Sequence, residues 1–198
     1  MREESYPGTF IVVEGADGAG TTTQAERLAE EMDVFYTAEP AENLVGEKVD
    51  EMISSGDYSP QAVALAFAAD RMVHLEEEIL PRLKEGETVV CDRYYHSSLV
   101  YQTVLGAERD WVEQLNRAAI RPDLTVVLDV SAETGMDRVE KRGTDGNIFE
   151  NLDFQEEVVL RYRRLEDELE EDIEVIDGSP SRDRVFSRLY SVVKEEIR

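Results

Sequence analysis

Residues 10–24 bring glycines, a carboxylate and hydroxyl side chains together between an apolar run and a helical pattern. This order predicts a strand, a turn and a helix, with Gly15, Gly18 and Gly20 in the turn. Glycine lets backbone N–H groups converge on phosphate oxygens without Cβ clashes, and the helix N-terminus adds partial positive charge. We therefore predict a phosphate-binding loop. Its residues are Gly15, Ala16, Asp17, Gly18, Ala19, Gly20, Thr21, Thr22 and Thr23.

The two residues after Gly20 decide how closely this loop matches the P-loop pattern. Thr22 stands where the pattern places the hydroxyl that binds Mg²⁺, whereas the lysine position holds Thr21. The same glycines would also fit a tight turn that binds nothing. The loop alone therefore leaves a structural interpretation open.

The stretch from Glu14 to Gln24 closely resembles the P-loop of thymidylate kinases, a branch of the nucleoside-monophosphate kinases. The resemblance implies that ATP binds here as the phosphoryl donor, together with Mg²⁺. It also implies that the acidic residue of the loop, Asp17, approaches the sugar of an acceptor nucleotide.

A second pair of residues, Phe67 and Arg71, falls one helical turn apart on one face. An aromatic ring can stack on a base while a guanidinium donates to its carbonyls or to a phosphate. A core phenylalanine beside a surface arginine is the structural alternative. The pair resembles the Phe-x-x-x-Arg of thymidylate kinases, which implies that it holds the thymine ring of dTMP. We also include Glu39 among the substrate-binding residues.

A carboxylate and a guanidinium, Asp92 and Arg93, follow an apolar strand pattern. In phosphoryl transfer Arg93 could clamp the acceptor phosphate while Asp92 orients Mg²⁺-bound water, although a structural ion pair closing the strand would use the same residues. The block that they open resembles the second characteristic block of the family. That resemblance implies that Ser98 and Gln102 reach the thymine edge and that Tyr101 crowds the 2′ position, which favours deoxyribose. Nearby His96 is interpreted as a satisfied loop side chain, not as a catalytic base.

Two arginines, Arg138 and Arg142, end a predicted helix just before a polar segment that contains glycine. In nucleoside-monophosphate kinases a lid at this place closes over the donor phosphates with arginines and excludes water. By that likeness residues 142–151 form the lid, Arg138 contacts the donor and Arg142 is catalytic. Ordinary ion pairs on the helix surface, with Glu133 or other acids, are the alternative.

The elements that must position these residues alternate along the chain as strands and helices. This alternation predicts an α/β protein with a five-stranded parallel sheet and helices on both faces, the P-loop NTPase fold. The expected strands start near residues 10, 34, 87, 124 and 173. A long helix is predicted from Pro60 to about Lys84, with Ser59 as its cap and a kink at Pro81. We expect residues 1–198 to form a single kinase domain.

The composition is strongly acidic, with 45 acids against 21 bases and a net charge of −24. Such a charge argues against nucleic acid or an anionic membrane as a partner. Few of the bases are lysines and the acids recur in runs, which is typical of proteins from a salt-rich cytoplasm. An ordinary acidic protein with solvated helix faces is the alternative. The sequence has no apolar targeting segment or membrane span, so we expect a soluble cytoplasmic protein.

Three positions depart from cationic residues of the family: Gly18, where some relatives have arginine, Thr21, where nearly all have lysine, and Ala38, where many have arginine. A well-placed cation in phosphoryl transfer is worth ~10³-fold or more in rate, so the loss requires an explanation. One hypothesis is that K⁺ occupies the missing ammonium site near Thr21. The other is lost catalysis, which would leave a nucleotide-binding regulatory protein.

Taken together, these features predict an ATP-dependent kinase that converts dTMP to dTDP. The expected catalytic residues are Asp17, Asp92, Arg93 and Arg142, and the expected Mg²⁺ ligands are Thr22 and Asp92. A related kinase acting on another deoxynucleotide or on a nucleoside stays open beside the regulatory alternative. Relatives of this family commonly pair, and the apolar positions of the long helix could form a homodimer interface or belong to a plain core.

Overall fold

The computed structural model describes residues 5–143 and 151–197. Within them five parallel strands form one sheet in the order β2-β3-β1-β4-β5. The strands are β1 (Phe10–Gly15), β2 (Phe35–Ala38), β3 (Val89–Asp92), β4 (Leu124–Asp129) and β5 (Ile173–Asp177). The predicted five-stranded parallel sheet is therefore confirmed.

The helices follow the strands in the predicted alternation. They are α1 (Thr21–Met32), α2 (Leu44–Ser55), α3 (Pro60–His74), α4 (Leu80–Lys84), α5 (Tyr95–Val104), α6 (Arg109–Asn116), α7 (Ala132–Arg142), α8 (Leu152–Glu168) and α9 (Arg182–Glu196). The sequence predicts a helix end at Gly56, where glycine is a stop signal, and a helix start capped by Ser59, and the structure confirms both. Gly56 ends α2 with φ 67°, and the Ser59 side chain accepts from the N–H of Ala62 at the start of α3.

The long helix expected to bend at Pro81 is instead interrupted before it. A π-helical turn spans Leu75–Ile79 and separates α3 from α4, in which Pro81 is among the first two residues. Proline has no N–H and its ring crowds the carbonyl of the preceding turn. A widened turn just upstream accommodates both effects, so the departure falls before the proline.

Helices cover both faces of the sheet because the side chains of each strand alternate. In β1, Ile11 and Val13 pack on the side of α1 and α9, while Phe10 and Val12 pack on the side of α3 and α5. Every residue of β1 is buried, as expected for a central strand covered on both faces. None of the helices in the described parts of the chain is long and apolar enough to cross a membrane.

Two helix bounds differ from the sequence prediction, which started one helix at about Ser97 and ended another at Ile120. Helix α5 begins at Tyr95, two residues early, since the Glu14 carboxylate of β1 accepts from the N–H groups of Tyr94 and Ser97. His96 therefore lies in a helix, fully buried, with Nε2 3.0 Å from Glu171 Oε2. Helix α6 ends at Asn116, short of Ile120, where a turn closes through the Asn116 carbonyl.

Candidate active site

The loop after β1 faces a cavity of about 800 Å³, which is larger than the second cavity of this region. Gly20 precedes α1 with φ 95°, in the left-handed region that favours glycine. The first N–H groups of α1 therefore point toward the cavity end where the strands stop. The loop residues that line the cavity are Ala16, Asp17, Gly18, Gly20, Thr21, Thr22 and Thr23.

The loop packs directly on the backbone of α7 through two glycines. A Cβ on Gly18, whose φ is 78°, would lie 2.1 Å from the Gly135 carbonyl oxygen, and a Cβ on Gly135 would lie 2.3 Å from the Asp17 carbonyl oxygen. Both contacts are far shorter than real Cβ atoms make. The loop conformation thus depends on the absence of side chains on both surfaces.

We predict that Gly135→Ala raises the KM for the expected donor, ATP, about tenfold and destabilises the protein by roughly 1–3 kcal/mol, because α7 must shift away from the loop. Steady-state kinetics and thermal unfolding measure the two effects. An alanine variant with an unchanged KM for ATP would contradict a tightly constrained loop.

Arg138, expected at the donor, ties this same region together. Its guanidinium donates to the carbonyl oxygens of Gly18 (3.2 Å), Gly178 (3.1 Å) and Ser179 (3.3 Å). In this conformation it holds backbone segments beside the cavity. Arg142 is exposed and lines the cavity itself. Of the lid expected over 142–151, residues 144–150 lie outside the described residues.

The residues expected to bind Mg²⁺ are adjacent because β1 pairs with β3. Thr22 Oγ1 donates to Asp92 Oδ2 at 2.5 Å, and the buried Asp92 Oδ1 has no hydrogen-bond partner. A hydroxyl and a carboxylate oxygen are the hard donors that Mg²⁺ prefers. In the described residues no three His, Cys, Asp or Glu side chains converge on a metal site, so the remaining ligands would be phosphate oxygens and water. The pair therefore fits a metal held jointly with a nucleotide.

Asp17 and Arg93 lie side by side at the junction of the two cavities and line both. Arg93 Nη2 donates to Asp17 Oδ1 at 2.9 Å, and the Tyr101 hydroxyl donates to the same oxygen at 3.0 Å. Gln155 Nε2 donates to Asp17 Oδ2 at 2.9 Å. A carboxylate and a guanidinium are thus fixed where groups held in the two cavities would meet.

Arg93 and Tyr101 at this junction both keep their protons at neutral pH. Burial alone lowers the pKa of Arg93, but neighbouring Tyr101, Tyr162, Asp17 and Asp92 raise it well above its usual value. For Tyr101, in contrast, burial itself raises the pKa. Its hydroxyl therefore keeps its proton and stays a donor to Asp17. The site therefore offers a permanent cation.

The smaller cavity, about 250 Å³, contains the expected acceptor-binding residues. Phe67 is partly buried and faces it, so its ring is not enclosed in the core. Gln102 also lines it, and Gln102 Oε1 is a buried acceptor with no hydrogen-bond partner. Its remaining lining is Asp17, Glu39, Pro40, Ile53, Val63, Arg71, Arg93, Tyr94, Ser97, Ser98 and Tyr101.

At the back of this cavity Arg71 is 1% exposed and paired with buried Glu39. Its Nε and Nη2 donate to Glu39 Oε2 at 2.9 and 2.6 Å. It also donates to Asn116 Oδ1 and, at 3.3 Å, to Ser98 Oγ. The pair is fully desolvated, so each charge depends on the other.

Sequence reasoning did not select the residue at the centre of this region, Glu14. Its fully buried carboxylate accepts from the N–H groups of Tyr94 and Ser97 and from the hydroxyls of Ser97 (2.7 Å) and Tyr162 (2.9 Å). Four donors offset the cost of burying the charge. An acidic residue at the end of an otherwise apolar strand was the available signal.

The site combines three features: a phosphate loop on one cavity, a ring and a guanidinium in another, and a cation that lines both. This combination defines a P-loop nucleotide kinase. The family model described as thymidylate kinase matches residues 13–189. The chain belongs to the thymidylate kinase family.

Individual relatives agree with this assignment. The chain is 36% identical over 201 residues to the probable thymidylate kinase of Pyrococcus horikoshii, covering 96% of this chain and 98% of that protein. It is 41% identical over 163 residues to the probable thymidylate kinase of Methanocaldococcus jannaschii, covering 80% and 82%. The thymidylate kinase of Staphylococcus haemolyticus is 36% identical over 195 residues, with 93% and 96% covered.

Proposed function

We propose that the protein catalyses the Mg²⁺-dependent transfer of the γ-phosphoryl group of ATP to dTMP, giving dTDP and ADP. The observation that carries this proposal is the position of Arg93 and Asp17, which line both cavities. A donor phosphate chain in the larger cavity and an acceptor phosphate from the smaller one would meet at these two residues.

The smaller cavity suits a thymine base. Phe67 offers a ring face for stacking, and the unpaired Gln102 Oε1 can accept from the N3–H of thymine. The Arg71 guanidinium, held by Glu39, can donate to a ring carbonyl. These donors and acceptors support a pyrimidine that has a carbonyl beside N3–H.

The sugar would lie beside Tyr101. Its hydroxyl is already committed to Asp17, and its ring is 8% exposed. A ribose 2′-hydroxyl placed against that ring would lack a partner, which favours deoxyribose.

The donor phosphates would be held by the amides of the loop and the N-terminus of α1. Thr22 and Asp92 would hold Mg²⁺, which when bound supplies charge neutralisation and geometry for the β- and γ-phosphates. Arg142 lines this cavity and would contribute a further cation.

Transfer itself requires no protein base. The acceptor phosphate is already an anionic nucleophile at neutral pH, so catalysis consists of alignment and charge stabilisation. Arg93 would hold the acceptor oxygen in line and stabilise the charge that develops on the transferred group. Asp17 would orient Arg93 and face the acceptor sugar.

A coupled ADP-release assay with ATP, Mg²⁺ and each deoxynucleoside monophosphate, at low and high KCl, tests the proposal. We expect turnover with dTMP and little with the others. Turnover restricted to a different acceptor would indicate a related kinase. Nucleotide binding without turnover in any salt would favour the regulatory alternative.

We further propose that K⁺ stands in for the missing lysine. Thr21 lines the larger cavity, where the cationic side chains among the described residues are Arg93 and Arg142. The acidic side chains there are Asp17, Glu133, Asp137 and Glu140. A polyphosphate bound among more acids than bases would favour an additional cation.

We predict that turnover rises with KCl at a constant ionic strength maintained with the salt of a bulky organic cation. Thr21→Lys should reduce this requirement, since it returns an ammonium to the same position. Equal rates at every KCl concentration, or an unchanged requirement in the lysine variant, would count against the placement.

The acidic composition and the apolar surface support two accompanying proposals. A surface with a net charge of −24 suits a salt-rich cytoplasm, where the nucleotide substrates are found.

Leu65 of α3 is 52% exposed, and we propose that this helix pairs with a second copy of the chain. Light scattering after gel filtration measures the assembly.

A further inference from the structure

The position of Arg93 depends on more than Asp17. Arg93 follows β3 with φ 69°, in the left-handed region, and its side chain reaches the junction of the two cavities. Its Nη1 donates to Ser97 Oγ at 3.2 Å and to the Tyr162 hydroxyl at 3.4 Å. Nη1 is therefore held by two hydroxyls, while Nη2 donates to Asp17.

Both of these hydroxyls are themselves fixed by a buried carboxylate. The Tyr162 hydroxyl donates to Glu14 Oε2 at 2.9 Å and Ser97 Oγ donates to the same oxygen at 2.7 Å, while the two hydroxyl oxygens lie 2.9 Å apart. Since a hydroxyl has one proton to donate, donation to Glu14 leaves its lone pairs for Arg93. The carboxylate thus orients two acceptors toward one cation.

The Tyr162 side chain is buried and keeps its proton. It is 2% exposed, and its ring lies edge-on to that of Tyr101 with centroids 6.2 Å apart. Burial and the nearby Glu14 carboxylate raise its pKa well above the usual value. The hydroxyl therefore remains a donor to Glu14 throughout the physiological pH range.

We propose that Tyr162 of α8 is a positioning residue for phosphoryl transfer, because its hydroxyl holds Arg93 in the orientation that faces both cavities. This inference rests on the proposed kinase function and adds a residue that is not among those lining either cavity. This role differs from core packing. Orienting Arg93 requires the Tyr162 hydroxyl, whereas packing requires only the ring, which a phenylalanine would also provide.

The experiment is a double-mutant cycle on kcat with Tyr162→Phe and Arg93→Lys. We expect Tyr162→Phe to lower kcat about tenfold with the KM for ATP within about twofold of wild type, since a misaligned cation affects the transition state most. In the Arg93→Lys background, Tyr162→Phe should lower kcat by less than about twofold, because the group that Tyr162 orients is no longer a guanidinium.

Tyr95→Phe is the matched control. It also removes a buried hydroxyl that donates to a carboxylate, at 2.5 Å to Glu171 Oε2, away from both cavities. We expect it to lower the Tm without lowering kcat. Should Tyr162→Phe fail to fold, Ser97→Ala removes the other hydroxyl that holds Arg93 Nη1, and an unchanged kcat in that variant would overturn the positioning of Arg93 by these hydroxyls.

Three results would overturn the proposal. These are a kcat for Tyr162→Phe within twofold of wild type, additive effects in the cycle, or an equal loss of kcat in Tyr95→Phe. Wild-type protein without dTMP kinase activity would instead overturn the proposed function, so the two failures are distinguishable.

Discussion

Arg93→Ala is expected to lower kcat for dTMP phosphorylation by ~10³-fold, the largest effect of any single change that we predict. Arg93 provides the permanent cation at the junction of the two cavities, and Thr21 leaves the loop without the usual lysine. Because the site has fewer cations, each cation that remains should contribute more to the rate of phosphoryl transfer. The KM for dTMP should also rise, since the acceptor phosphate loses its partner.

Two variants make this result interpretable. Arg93→Lys keeps a charge without the planar fork and should recover part of the rate. Arg109→Ala removes an arginine that pairs with Glu168 outside both cavities and should leave kcat within about twofold of wild type. An Arg93→Ala enzyme that retained more than a tenth of the wild-type kcat would contradict the proposed role.

Glu39→Ala is expected to destabilise the protein by about 3–5 kcal/mol and to weaken dTMP binding severely. The side chains of Arg71 and Glu39 are 2% and 1% exposed, so loss of the carboxylate leaves a desolvated guanidinium without its counter-charge. Arg71 would then lose the contact that aims it into the acceptor cavity. Urea unfolding and calorimetric titration with dTMP measure the two effects.

An exposed ion pair provides the comparison. Arg163 Nε lies 2.9 Å from Asp129 Oδ1, with side-chain exposures of 47% and 27%, and Arg163→Ala should cost less than about 1 kcal/mol. Glu39→Gln retains an acceptor for Arg71, so its loss of stability should lie between those of Glu39→Ala and Arg163→Ala. Equal stability losses for Glu39→Ala and Arg163→Ala would mean that the buried pair contributes no more than a surface one.

The fold was predictable because its cues are local. Apolar runs bounded by turn residues located the strands, and Gly56 and Ser59 marked a helix end and a helix start that the structure confirms. The start of α5 was not predictable, since its cap is the carboxylate of Glu14, a residue on another strand. Pro81 marked a break in the long helix, but the expected kink at the proline is replaced by a π-helical turn upstream of it, at Leu75–Ile79.

The site was only partly predictable, for a related reason. Residue types, their spacing and the family resemblance together selected Asp17, Phe67 and Arg93, and the structure places all three in the lining of the two cavities. Their catalytic roles stay predictions. Tyr162 escaped selection because a tyrosine within an amphipathic helix has the same appearance as a core residue, and its partner Glu14 lies far away in the sequence.

The most direct measurement is calorimetric binding of a bisubstrate compound in which adenosine and thymidine are joined by a phosphate chain. If the two cavities meet at Arg93 and Asp17, one molecule should bind per chain at least ~100-fold more tightly than ATP or dTMP alone, and each nucleotide should compete with it. Binding no tighter than that of the better single nucleotide, or competition by only one of them, would contradict the account.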